Sequence, residues 1–289
     1  MTTLKLTTGL GPARLDSDDE PSESRKRVRR ARRRLGPGPR IPYGVVIGPL
    51  ALLLAWTLGS ATGLLDPRVL SEPWTVVQTF GRLIAEGRLQ DNLLTSGLRA
   101  VTGLAAGLLV GGTAGVLSGL SRGGEAVIDG PIQAKRATPT LALIPLLILW
   151  FGIGEQMKVI AIAIGVSVQI YLHTHAGLRA IDARYVELAE TLRLDKWTFI
   201  RKVALPGALP QFLIGLRHGV TTAWLVLVAV EQINATSGIG HMMSLARSYG
   251  QTEIIVVGLL VYGAFGLVSD TAVRLLERKV LTWRRSLAH

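Results

Sequence analysis

The sequence predicts an all-α membrane protein of about six transmembrane helices, with one long cytoplasmic loop built of short amphipathic helices. Three observations carry that class. Hydrophobic residues make up 48% of the 289 and are bunched into runs, not spread at the periods of a soluble core. Positive residues gather in alternate loops, which is how a chain fixes its orientation across a bilayer. The stretch Asp182–Pro210, DARYVELAETLRLDKWTFIRKVALPGALP, is the one long charge-rich amphipathic segment, and it lies between two strongly apolar ones.

Residues 1–40 hold a small acidic patch, Asp16 to Glu23, and then RKRVRRARRRLGPGPR from Arg25 to Arg40. Low hydrophobicity and blocks of like charge predict a disordered tail. So basic a cluster could bind nucleic acid; directly before a membrane span it instead holds this end in the cytoplasm and touches anionic lipid. No nucleic-acid partner is expected. Residues 41–289 form the membrane domain. The first apolar run starts near Ile41, too late and too long for a secretory signal.

The runs are about Tyr43–Leu65, Leu94–Leu120, Thr138–Ile153, Val159–Leu172, Phe212–Val230 and Ile254–Leu276. The second is rich in Gly and Ala, as in helices that pack closely. Between the first two, EPWTVVQTFGRLIAEGRL puts Trp74, Val77, Phe80, Leu83 and Ile84 on one face of an interfacial helix. The third and fourth runs are short and flank the tight turn GIGEQMK, which predicts a hairpin of antiparallel spans. The last two are long enough for a hydrocarbon core of about 30 Å.

Arg122, Lys135 and Arg136 lie between runs two and three, and Arg179, Arg184, Arg193, Lys196, Arg201 and Lys202 between four and five. Arg278, Lys279, Arg284 and Arg285 come after the sixth run. Both loops and both termini are therefore expected in the cytoplasm, although Arg68, Arg82 and Arg88 sit in an outer loop beside Glu72, Glu86 and Asp91.

In the long loop, Asp182 caps a helix whose apolar positions Tyr185, Leu188, Ala189 and Leu192 recur at i, i+3, i+4 and i+7. Arg184, Glu187, Glu190 and Thr191 face the other way. Asp195 caps a second helix carrying Trp197, Ile200 and Ala204, and Pro206 should end it, since proline lacks the amide hydrogen and disfavours helix before it.

The absence of cysteine excludes disulfides, thiolate metal sites and a catalytic thiol. No G-x-x-x-x-G-K-[ST] loop, Ser-His-Asp set or zincin spacing is present, so the chain should not hydrolyse ATP and is not expected to be an enzyme. His173 and His175 point about 200° apart on a helix, which speaks against a metal pair. Polar groups in apolar runs mark a pathway or an internal partner. The candidates are Arg99, Gln169, Arg217, His218, Glu231 and Asp270. Asp270 has Arg274 at i+4, the spacing of a salt bridge. Arg217 either snorkels to the surface or lines a path for an anion. Glu231, followed by QINATSGIGHMM, sits at the outer mouth, where that turn lines the entry, meets a partner or is a solvated loop. An ion-coupled secondary transporter would need charges in mid-membrane and an internal repeat. A membrane enzyme would need His173, His175 and His218 to converge.

The long loop fits the pattern Glu-Ala-Ala, three residues, Gly, nine residues, Ile, one residue, Leu-Pro. Glu187, Leu188 and Ala189 take the first places, Arg193 the Gly place, Val203 the Ile place, and Leu205 and Pro206 the ending. This resembles the coupling loop of permease subunits of bacterial ABC importers. The likeness extends through ATPTLALIPLLILWFGIG and EQINATSGIGHMM to RLLERKVLTWRRS, and points to the nitrate/taurine/sulfonate group, closest to its aliphatic-sulfonate members. The resemblance implies the transmembrane domain of a type I ABC importer in the bacterial inner membrane, with two permease copies, two ATPase subunits and an extracytoplasmic solute-binding protein. Nitrate, taurine, bicarbonate and pyrimidine precursors are alternative cargoes. It implies no cofactor in this chain, ATP and magnesium belonging to the ATPase. It implies that Glu187 to Arg193 sits in an ATPase groove while Tyr185, Leu188 and Leu192 anchor the helix to the spans. Arg193 in place of a bend-forming Gly implies a looser bend.

Overall fold

The computed structural model describes residues 44–282. The tail 1–40 with its basic cluster, and residues 283–289 with Arg284 and Arg285, lie outside the described residues. The chain separates into two units after Leu50; the first contributes only the start of one helix to the described residues, and the helical bundle belongs to the second. Every regular element among the described residues is a helix: α1 Gly44–Ala61, α2 Pro73–Ala85, α3 Arg88–Leu120, α4 Arg122–Ala137, a 3₁₀ turn Thr140–Leu143, α5 Ile144–Phe151, α6 Glu155–Arg179, α7 Ala183–Thr191, α8 Lys196–Phe199, a π turn Ile200–Ala204, α9 Leu205–Asn234, α10 Ile239–Ser248 and α11 Thr252–Val280. Helices α3, α6, α9 with its lead-in, and α11 are each long and apolar enough to cross a membrane; a fifth span results if α4 and the 3₁₀–α5 segment are one broken span.

Apolar side chains gain little from leaving lipid for protein, so close packing has to hold such a bundle. The sequence supplies it on α3 through Gly103, Gly107, Gly111 and Gly115, four residues apart and therefore on one face. A Cβ at Gly107 would lie 2.6 Å from Val166 Cβ and 2.8 Å from the Ala163 carbonyl, and one at Gly103 2.6 Å from Ile162. Backbone thus meets backbone along α3 and α6. Helix α6 also packs on α9, with Met157, Ala161, Val166 and Ile170 in one buried cluster with Ala223, Val226, Leu227 and Val230.

Three expectations change. The third apolar run is not half of a full hairpin. Thr138 is extended (φ −95°, ψ 122°), because Pro139 disfavours helix before it, and the chain bends by 95° between α4 and the segment Thr140–Phe151. In α2, Leu83 alone of the five apolar positions is buried, with Val76 and Thr79; Trp74, Val77, Phe80 and Ile84 are exposed. Three of these line an apolar groove of about 720 Å³ against α11. The stretch after Glu231, expected as an outer loop, contains α10, which buries Ile239, Met242, Met243 and Ala246.

Candidate functional site

The loop stretch begins as its sequence requires. Asp182 caps α7, its side chain accepting from the Arg184 amide, and Asp195 caps α8 by accepting from the Thr198 amide. Both carboxyls are held below the ordinary carboxylate range, Asp182 chiefly by the Arg184 side chain and Asp195 chiefly by the Thr198 hydroxyl. Between the helices the Leu194 amide bonds the Ala189 carbonyl and the Arg193 amide bonds the Glu190 carbonyl. That pair of bonds is a Schellman turn, which needs a left-handed residue at its corner. Arg193 supplies it, with φ +50°, the one non-glycine of positive φ among the described residues. The expected loosening does not occur: the tight bend is kept at the cost of about 1 kcal/mol of backbone strain.

Pro206 does not end the second helix. The Leu205 amide reaches back five residues to the Ile200 carbonyl. This wider turn stands just before the proline, whose missing N–H and ring would disrupt an α-helical ladder there. Lys196–Ile233 therefore runs as one continuous helical segment, joining the loop to a membrane span without a hinge.

The apolar face of α7 is not anchored to the spans. Ala189 alone is buried; Tyr185 (58% exposed), Leu188 (54%) and Leu192 (61%) are open, as are Leu194 and Trp197 (63%). Glu187 is exposed beside them, Val203 and Pro206 are half-buried, and Leu205 is 40% exposed. Contiguous apolar surface of this kind on a charged loop marks an interaction site.

At the opposite end of α6 and α9, Glu231 does not open onto a mouth. It is 1% exposed, and its carboxylate accepts from the Ser96 hydroxyl at 2.8 Å, Arg99 Nη1 at 2.7 Å, the Gly240 amide at 2.9 Å and the Tyr262 hydroxyl at 2.9 Å. Arg99, 3% exposed, also donates twice to Glu155 and twice to Ser237, and Lys158 pairs with Glu155. The network ties α3, α6, α9, α11 and the turn before α10 together. Gly238 (φ +106°) has to be glycine, since a Cβ there would collide with the Glu231 carboxylate.

Arg217 lies 3.2 Å from Asp270 and donates to Glu277, while Arg274 pairs with Asp270 at 2.6 Å. The i+4 bridge expected there is present, and Arg217 joins it as a link between α9 and α11. Gln169 and His218 fall on one polar line instead. The His218 ring stacks on His173 at 5.3 Å between centroids, and Gln169 stands one turn from His173. Gly215 makes this possible, its Cα so close that a Cβ would lie 2.7 Å from His173 Cβ. His175 points elsewhere, to Ser118 and Glu125. The described residues hold no metal-ligating cluster of three or more.

The residues around this geometry match a known family. Residues 103–282 fit the model of the binding-protein-dependent transport system inner membrane component. The chain belongs to that family. This permease is 39% identical over 247 residues to a putative aliphatic sulfonates transport permease protein, SsuC, of Bacillus subtilis (84% of this chain, 90% of the relative), and 41% identical over 235 residues to its namesake in Escherichia coli (81% and 89%). It is 31% identical to the taurine transport system permease protein TauC of Escherichia coli (82% and 88%). Among solved structures, its fold resembles a chain of an amino acid ABC transporter (20% identity, 69% of this chain and 98% of that one, TM-score 0.56). It also resembles one of the inward-facing MetNI methionine ABC transporter (17%, 66% and 97%, TM-score 0.53).

The permease shows what sequence reasoning missed. Glu155, Lys158, Ser96, Ser237 and Tyr262 were not among the expected site residues. The signal was Arg99 itself, a cation in an apolar run that demands buried counter-charge.

Proposed function

We propose that the permease is the membrane-spanning subunit of an ATP-driven importer of small anions, with aliphatic sulfonates as cargo. Two copies frame the path, two ATPase subunits dock on the cytoplasmic loop, and a solute-binding protein delivers cargo from outside. The long basic loop Asp182–Pro210 and the basic tail face the cytoplasm of a bacterial inner-membrane protein. The sulfonate assignment is supported by relatives at about 40% identity.

The observation that carries the docking is the exposed Tyr185, Leu188, Leu192 and Trp197 surface, set by a rigid turn and continuous with α9. When ATP closes the ATPase pair, the groove holding α7 moves, and the continuous α8–α9 segment carries that displacement into the bundle. Such coupling requires contacts that differ between the two states.

The test is uptake of ethanesulfonate by proteoliposomes carrying permease, ATPase and binding protein, with taurine, nitrate and bicarbonate as rival cargoes. Leu188→Asp places a charge on the docking face, and Glu187→Lys a wrong charge beside it; mismatched interface charges cost several kcal/mol, roughly two to four. Both should express at normal level and lose bound ATPase or uptake. If both retain ATPase and import at the unaltered rate, the docking assignment fails. If another anion alone is imported, the sulfonate assignment fails.

A further inference from the structure

The 95° bend between α4 and the segment Thr140–Phe151 lies beside the polar line of α6 and α9. Helix α4 climbs along α6 from its Arg179 end: Glu125 meets Arg179, and Asp129 accepts from the Tyr171 hydroxyl at 3.0 Å. The chain then breaks at Thr138–Pro139, and Thr140 comes to rest at Gly165, where a Cβ would lie 3.7 Å from Thr140 and 3.1 Å from Thr222 of α9. Gly165 is about 21 Å along α6 from Arg179 and about 15 Å from Glu155, at 1.5 Å per residue. The break is therefore near mid-span. Non-helical backbone at that depth persists only where protein buries it or water lines it.

Lys135 stands at this break. Its ammonium donates to the Thr140 hydroxyl at 2.9 Å, and among the described residues it takes part in no ion pair, unlike Arg99, Lys158, Arg217 and Arg274. It is half-buried. One turn from Gly165 and Thr222 come Gln169 and His218, and one turn further along α6 comes His173, stacked on His218. Exposed polar side chains such as His218 on a membrane helix face water or protein, not lipid.

We infer that Lys135 and Thr140 at the break, with Thr222, Gln169 and the His173–His218 pair beside them, form a mid-membrane site for the oxyanion head of the cargo. The unpaired ammonium supplies the charge, and the hydroxyl, amide and imidazole groups lead the anion away from it. This rests on the importer reading.

The test uses the assembled permease–ATPase complex in nanodiscs, without binding protein, titrated with ethanesulfonate by calorimetry. The unaltered complex should bind it saturably. Lys135→Gln should weaken binding by about tenfold or more, the worth of one charge-assisted hydrogen bond, and Lys135→Arg should recover most of it. Assembly is read on the same samples. Should Lys135→Gln not assemble, Thr140→Val, close to isosteric, should weaken binding by about threefold. Absence of binding by the unaltered complex, or equal affinity in the variant that assembles, overturns the site. Ethanesulfonate uptake by the full importer is scored separately, so loss of uptake in the unaltered protein counts against the transport reading and not against the site alone.

Discussion

Arg99→Met tests the buried network most directly. Arg99 makes five hydrogen bonds from a side chain 3% exposed, and its loss has unequal consequences for its two carboxylate partners. Glu155 has a side chain 60% exposed and keeps Lys158, so it can turn to water. Glu231 has neither escape; it keeps three neutral donors, from Ser96, Gly240 and Tyr262, but no counter-charge. Stranding one buried charge costs about 3–5 kcal/mol. At about 2–4 °C per kcal/mol for a chain of this size, the melting temperature in detergent should fall by roughly 10 °C. Adding Glu231→Met removes the stranded charge, so the double variant should regain at least about half of the loss, apolar replacement of a buried pair being near neutral. Melting followed by intrinsic fluorescence for all four proteins closes the cycle. If Arg99→Met melts within about 2 °C of the unaltered protein, or the double variant is less stable than Arg99→Met, the reasoning is refuted.

Arg193→Gly relieves the left-handed strain at the loop corner and should stabilise it by about 0.5–1 kcal/mol, seen as slower hydrogen exchange at Leu194 with ATPase docking retained; faster exchange would contradict the turn geometry. Gly107→Val forces a side chain into Val166 and the Ala163 carbonyl and should cut the yield of folded protein severely, whereas Gly130→Ala, with nothing within 4 Å, should not. The lowered Asp182 and Asp195 carboxyls give caps that are fully formed above the unfolded value of about 3.9 and are lost only as pH falls through their native values. Exchange in residues 183–199, corrected for intrinsic rates, should thus be flat from pH 8 to pH 5 by that reckoning and rise in stronger acid; a rise near neutrality would mean other groups hold these helices.

The all-helical membrane class and both aspartate caps were legible because they depend on local rules: run length, an acceptor before a helix, a charge four residues from its opposite. The errors have separate physical origins. Pro206 read as a stop, since the local rule for proline contains no π turn; the bundle beyond it, with Ala204 and Ala208 buried, keeps the helix going. Glu231 read as an outer mouth because its partners lie on α3, α10 and α11, more than thirty residues away in most cases, a distance that no periodicity spans. Arg193 read as a loosened bend because sequence registers the missing glycine but not that the two Schellman bonds hold an arginine in the glycine's conformation. Gln169 and His218 were legible as polar groups in apolar runs, yet only the close approach at Gly215 puts them on one line.

These departures together decide how a push on the loop would travel. A proline stop at Pro206 would place a hinge between the docking surface and the span, and a hinge dissipates displacement. The π turn instead leaves a continuous segment from Lys196 to Ile233, so a shift at Trp197 becomes a tilt or translation of α9. Glycine-lined contact between α3 and α6, and the tight face between α6 and α9, leave little room for sliding, since packed interfaces shift between discrete arrangements instead of deforming smoothly. At the far end the Arg99–Glu231 network welds α3, α6, α9 and α11 to the turn before α10. The welded block then responds as a unit. The bent segment from α4 to α5 lies against this block, held along α6 by Asp129 and Glu125 and interrupted beside Lys135 and Thr140. In the mechanism proposed above, force enters at α7 and α9 carries it to the bend at Thr138–Pro139, a corner whose φ the proline ring fixes, next to the cation proposed to hold the cargo.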